Sequence, residues 1–308
     1  MPNNRRRLTQ TQKQAMIRAI VSSPTYRRAY QDYAFMDREE LRPIRLQLEL
    51  LKPEMTLTEL DIRSTVVVFG SARIKAPEDA RRRVRGLAAK LRKHPRSEAL
   101  AVQLAAAERL LSRSRFYEEA RKFAALVTRA SQADTKRDYV IVTGGGPGIM
   151  EAANRGAFEA GGKSIGLNIT LPHEQVPNNY VTPELCFQFH YFALRKMHFM
   201  MRAKAMAAFP GGFGTLDELF ETLTLVQTHK KHSIPILLFG REFWSRVIDF
   251  NFLAAEGVIS HEDLRLIRYV ETAEEAWAAI QAHWRRAGGG PRKRKSLTAA
   301  HLDEPPIA

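Results

Sequence analysis

Residues Pro210-Gly211-Gly212-Phe213-Gly214-Thr215 have the composition of a loop that can hold an anion. They lie between a short apolar run and a stretch with helical periodicity. Glycines let a backbone turn tightly and bring its N–H groups close to a ligand. The start of the following helix adds free N–H donors and a partial positive charge. The anion such a loop suits best is a phosphate; without a ligand it would be only a tight strand-to-helix turn. Glu218 follows Thr215 by three residues, and Glu221 stands one turn further on. Thr-x-x-Glu is also the spacing of a capping box, so Glu218 can cap its helix, face a bound ligand, or do both.

Two further glycine-containing turns follow apolar runs: Gly70-Ser71, and Gly144-Gly145-Gly146-Pro147-Gly148 after Thr143. No GxxxxGK[ST] occurs, which disfavours a P-loop NTPase. Gly70-Ser71-Ala72-Arg73 lacks the glycine spacing of a dinucleotide fingerprint, and the turn after Thr143 lacks its ribose-binding acid. A mononucleotide remains the best-fitting phosphate ligand.

The elements that must position these turns alternate. Val66–Phe69, Tyr139–Val142, Ser164–Ile169, Cys186–Phe189, Ala205–Phe209, Ile234–Phe239 and Leu266–Val270 read as strands. Helices are expected at about 149–160, 192–203, from Thr215 to about Thr228, near Trp244 and at 273–286. A long helical region at about 77–131, broken near His94-Pro95, follows the first strand. Such alternation predicts an α/β, Rossmann-like, doubly wound parallel sheet. Ligands of such sheets bind beyond the carboxyl ends of the strands, where all three glycine turns fall. Before the first strand, Thr11–Val21, Thr25–Phe35 and Asp37–Leu51 read as helices punctuated by Pro24, Pro43 and Pro53. The expected organisation is a helical N-terminal extension at 1–60 that packs on the main domain. The catalytic domain follows at 61–287, with its helical insertion after the first strand, and a basic, disordered tail at 288–308.

The formal net charge is +15. Residues 78–137 alone carry 16 Lys and Arg against 7 Asp and Glu, and Arg5-Arg6-Arg7 and Arg292-Lys293-Arg294-Lys295 add two basic tails. These read as a solvated helical face and tails, since the stretch has few interleaved aromatic residues for stacking bases. Nucleic acid is therefore not expected as a partner. Cys186 is the single cysteine, which excludes an intrachain disulfide and a Cys-rich zinc site. With no secretory signal and no long apolar run, the expectation is a cytoplasmic protein without membrane spans.

Pro210-Gly-Gly-Phe-Gly-Thr-Leu-Asp-Glu218 resembles the PGGxGTxxE motif of the Lonely guy (LOG) family, cytokinin riboside 5′-monophosphate phosphoribohydrolases long labelled "possible lysine decarboxylase". Gly144-Gly-Gly-Pro-Gly-Ile-Met-Glu151 is similar to its second glycine loop, Leu194-Arg195-Lys196-Met197 to its arginine-lysine motif, and Gly70-Ser71 to its first-strand turn. The resemblance spans about residues 65–282. The usual Met-His before the Arg-Lys pair is absent; here Met197-His198 follows it. The resemblance implies Glu218 and Arg195 as the catalytic pair. It implies Lys196, Gly211, Gly212, Gly214 and Thr215 as nucleotide-binding residues, with Ser71, Gly144, Gly145, Gly146 and Gly148 beside them. It implies hydrolysis of the N-glycosidic bond of a purine nucleoside 5′-monophosphate without metal or other cofactor, by a homodimer or larger homo-oligomer. The alternatives are a non-catalytic nucleotide-binding or cofactor-carrier protein on the same fold, and a basic nucleic-acid-binding protein.

Overall fold

The structure, a computed structural model, describes residues 8–132, 137–170 and 176–286. The basic tails at 5–7 and 292–295, and the segment 288–308 read as disordered, lie outside the described residues. The chain divides into two compact units between Met55 and Thr56.

The first unit holds α1 (Gln10–Ser22), α2 (Tyr33–Met36) and most of α3 (Arg42–Glu59). The Thr9–Gln12 capping box starts α1. The helix expected at Thr25–Phe35 does not form. Two 3₁₀ turns, Pro24–Tyr26 and Ala29–Gln31, replace most of it. Asp32 then caps the new start of α2 by accepting from Phe35 N–H at 3.2 Å. No residue of that segment is buried, so no apolar face holds a longer helix together. The helix expected at 37–51 begins later, at Arg42, and runs on through Pro53. Pro43, its second residue, sits where the missing N–H has no role. Pro53 removes one bond of the ladder without ending it.

The second unit opens with β1 (Thr65–Phe69), buried throughout. The insertion follows as α4 (Pro77–Lys93), α5 (Glu98–Ser112) and α6 (Arg115–Ser131). Besides the expected break at 94–95 there is a second, at Arg113-Ser114. There α6 begins to bury a continuous face, including Phe116, Tyr117, Phe123 and Val127, against the sheet. The chain continues through β2 (Val140–Thr143), α7 (Ile149–Glu159), β3 (Ser164–Ile169), β4 (Cys186–Phe189) and α8 (Phe192–Met201). It ends with β5 (Ala203–Ala208), α9 (Phe213–Gln227), β6 (Ile236–Phe239), α10 (Arg241–Val247), α11 (Phe250–Ala255), β7 (Ile267–Val270) and α12 (Ala273–Arg286).

Among the described residues there are seven strands, all parallel, in the order β4-β3-β2-β1-β5-β6-β7. This is the expected doubly wound α/β fold. The order reverses between β1 and β5, and the crevice for a ligand opens at that reversal. The core there is aromatic and aliphatic: Phe209 stacks on Phe239 at 3.9 Å, and Val66, Val68 and Ala207 are fully buried. Among the described residues no helix is long and apolar enough to cross a membrane.

A buried polar network fixes the loop after β2. Asn154, on α7, is fully buried. Its Oδ1 accepts from Thr143 Oγ1 at 2.7 Å and from Asn178 Nδ2 at 3.0 Å, and its Nδ2 donates to Ser164 Oγ at 3.0 Å. Thr143 Oγ1 in turn accepts from Gly145 N–H at 2.9 Å. Asn154→Leu keeps the branched heavy-atom outline, in a somewhat bulkier form, but strands these hydroxyl and amide partners. It is expected to lower unfolding free energy by about 2–4 kcal/mol in urea titrations; a loss below about 0.5 kcal/mol would contradict this role.

Candidate active site

The first turn of α9 faces the crevice between β1 and β5. Its N-cap is Gly212, which offers no side chain to the free N–H groups. Thr215 N–H and Leu216 N–H both reach the Gly212 carbonyl at 3.0 Å, so Thr215 is already inside the helix. Thr215 and Glu218 therefore do not form the capping box their spacing allows. Ser71 N–H donates to the Pro210 carbonyl at 3.0 Å and ties the β1 turn to this loop. Ser71 Oγ accepts from Arg73 N–H at 3.1 Å.

The cavity over these turns has a volume of about 690 Å³. Ser71, Gly144, Arg195, Gly211, Gly212, Gly214, Thr215 and Glu218 all line it. Gly145, Gly146, Gly148 and Lys196 do not. The carbonyls of Gly145 and Gly146 are instead taken by Asn178 Nδ2, each at 3.0 Å. Residues that the spacing did not single out join the lining: Met150, Phe192, Asp217 and Phe243, with Arg73 from the β1 turn and Leu110 and Arg113 from the insertion. Phe213 stands 91% exposed at the mouth.

Glu218 is 5% exposed. Among the described residues its carboxylate accepts no hydrogen bond. Burial pushes the carboxyl up from its ordinary 4.5 to about 7; the nearby Lys196 and Arg195 charges oppose this, and Glu221 reinforces it. Arg195 is half-buried on α8. Its Nε donates to the Leu167 carbonyl at 2.7 Å, and its guanidinium lies 5.2 Å from the centre of the Phe199 ring. Burial lowers the affinity of the guanidinium for its proton, and Glu218 raises it. Gly144 leaves room for this side chain, because a Cβ there would stand 2.6 Å from Arg195 Nη2. Lys196 does not line the cavity itself and bridges Asp217 and Glu221, each at 2.9 Å. Burial disfavours its charge, but these two carboxylates outweigh that and raise its proton affinity.

The fold and cavity define the class: a doubly wound α/β protein with its site at the switch point of the sheet. Residues 150–280 match the family described as "Possible lysine decarboxylase". The chain is 32% identical over 148 residues to the cytokinin riboside 5′-monophosphate phosphoribohydrolase LOG of Oryza sativa subsp. japonica, covering 46% of this chain and 58% of that protein. It is 28% identical over 152 residues to the probable phosphoribohydrolase LOGL5 of the same plant, covering 48% and 61%. It thus spans about three fifths of the length of these curated relatives. The LOG resemblance carried by the motifs is matched in this region of the chain. Among solved structures, the Moco carrier protein from Chlamydomonas reinhardtii aligns with a TM-score of 0.43 and 16% identity, over 73% of this chain and 99% of that one. Such a likeness transfers no ligand or activity.

A folded carboxyl that holds its proton more tightly than the unfolded one costs stability as pH rises. The cost is absent below about pH 4.5 and complete above about pH 7. Glu218→Gln removes it. The variant is expected to melt at a higher temperature than the parent at pH 8, by up to about 3 kcal/mol in stability. At pH 4.5 the two proteins should melt alike. Equal melting at pH 8 would show that the carboxyl is not held in a desolvated place.

Proposed function

We propose that this protein hydrolyses the N-glycosidic bond of a purine nucleoside 5′-monophosphate, AMP or an N6-modified AMP, to free base and ribose 5-phosphate. The observation that carries the reading is Glu218: a buried carboxyl, displaced to about 7 and without a hydrogen-bond donor among the described residues, on the helix whose first turn faces the cavity. Strongly perturbed carboxyls in clefts mark sites of chemistry. The relatives named as phosphoribohydrolases support the same reaction class.

The N–H groups at the start of α9, with Ser71, hold the 5′-phosphate. The ribose then lies toward Glu218. Breaking the C1′–N bond builds positive charge on the sugar, as in glycoside hydrolysis. The Glu218 carboxylate stabilises that charge and takes a proton from the attacking water, whose oxygen bonds to C1′. That proton passes to the departing base. Arg195, anchored on the Leu167 carbonyl, orients sugar and nucleotide.

Incubating the purified protein with a panel of nucleoside monophosphates and measuring free base tests the reading. Base should appear from a purine monophosphate, and the rate should climb as pH rises through about 7, where Glu218 ionises. Glu218→Gln should cut turnover by about 10² or more while nucleotide binding survives. If no purine monophosphate yields base, the protein is a nucleotide-binding or carrier protein on this fold.

The same reading includes a homodimer or larger assembly in the cytoplasm. Exposed Met197 and Met201 on α8 and Phe220 on α9 offer apolar surface for it. Light scattering at micromolar concentration should give at least twice the chain mass of 35.0 kDa; a monomer would refute this part.

A further inference from the structure

The cations near the cavity fall into two groups. Arg195 is anchored on Leu167 and faces Glu218, and Lys196 neutralises Asp217 and Glu221. Arg73 and Arg113 also line the cavity, and among the described residues neither has a carboxylate partner. The phosphate group of a nucleoside monophosphate carries about −1.5 to −2 at pH 7. A helix N-terminus supplies only about +0.5. The phosphate therefore needs a cation that is not already committed to an acid.

Arg113 is built for that place. It closes α5, and its carbonyl accepts from Phe116 N–H at 3.0 Å. Ser114 and Phe116 beside it are buried, so the backbone is pinned where α5 gives way to α6. Its guanidinium lies over the Phe243 ring, 5.0 Å from the centre. This seat holds the planar fork without consuming its N–H donors. The neighbouring Arg115 does the opposite, spending its guanidinium on Glu271 at 3.0 Å. Strand order sets the layout. Gly144 and Arg195 lie on the β2 side, the start of α9 follows β5, and Phe243 with Arg113 lies beyond β6.

We propose that Arg113 is a phosphate-binding, specificity-determining residue, and that the insertion between β1 and β2 serves to deliver it to the cavity. Its guanidinium takes the phosphate of a ligand whose sugar lies toward Glu218. The proposal rests on reading the cavity as a phosphoribosyl site, but not on hydrolysis there.

Calorimetric titration of AMP and of adenosine into the full chain tests it, in a Glu218→Gln background so that ligand is not consumed. AMP should bind at least about tenfold more tightly than adenosine. Arg113→Met, which keeps an apolar stem over Phe243, should weaken AMP at least about tenfold and adenosine less than about twofold. Arg113→Lys should fall between, keeping the charge but losing the fork. Inorganic phosphate should compete with AMP in the parent and much less in Arg113→Met. Unchanged AMP affinity in Arg113→Met would overturn the proposal. So would equal weakening of AMP and adenosine, which would make Arg113 a mere support for the wall, or no AMP binding at all. Absence of base release from every nucleotide would sink the hydrolase reading while leaving this discrimination intact.

Discussion

Desolvation of the Glu218 carboxyl is the interaction around which the site is arranged. An ionised carboxylate in a place that water barely reaches is expensive, and here no hydrogen-bond donor among the described residues offsets it. Two cations stand close enough to temper the cost without neutralising the group, so its proton affinity settles near neutrality. A carboxyl so poised changes charge in the pH range where a base catalyst is useful. Maintaining it requires rigid surroundings. The strand β5, buried except at Lys204, leads into α9, and Arg195 is held by a backbone carbonyl of β3 rather than by an acid.

Charge pairing around α8 and α9 follows from that requirement. Lys196 sits next to Arg195 in sequence, yet it is engaged by Asp217 and Glu221 rather than lining the cavity. Without it, two more carboxylates would stand unneutralised beside Glu218 and drive its proton affinity higher still. Adjacent cations thus do different work: one balances the acids of α9, the other faces the cavity. The absence of a side chain on Gly144 is what permits the second.

The glycine loop after β2 is held by its interior. Asn154 and Asn178 occupy the Thr143 hydroxyl and the carbonyls of Gly145 and Gly146, so much of this loop is turned toward protein rather than toward a ligand. The insertion plays the complementary part. Its strongly basic surface includes ion pairs such as Arg121–Glu159 and Lys122–Glu274, while the end of α5 and the turn after it contribute Leu110 and Arg113 to the cavity.

Much of this was legible in the residues themselves. Short apolar runs ending in glycine turns specify parallel strands with their ligand edge at the carboxyl ends, and strands Ser164–Ile169 and Cys186–Phe189 and helix Ala273–Arg286 lie where the periodicity puts them. PGGxGTxxE marked the strand-to-helix turn and Glu218, because a local turn is encoded by local residue types. Other features depend on contacts between distant segments, which no spacing records. Capping was a possible role for Glu218 until the helix was seen to begin at Gly212 rather than Thr215. Lys196 and Arg195 are neighbours in the chain but diverge in space. Asn154, Asn178 and Arg113 carry no motif, and their roles arise only when α7, the loop after β3 and the insertion are packed around the sheet. The N-terminal segment shows the same limit in reverse: Thr25–Phe35 has helix-forming residues but buries none of them, and without a packed face propensity alone does not hold a helix. Sequence determined the strands, the turns and the reactive residue types; tertiary structure decided which of those residues share one desolvated cavity, because burial and charge pairing are properties of neighbours in space.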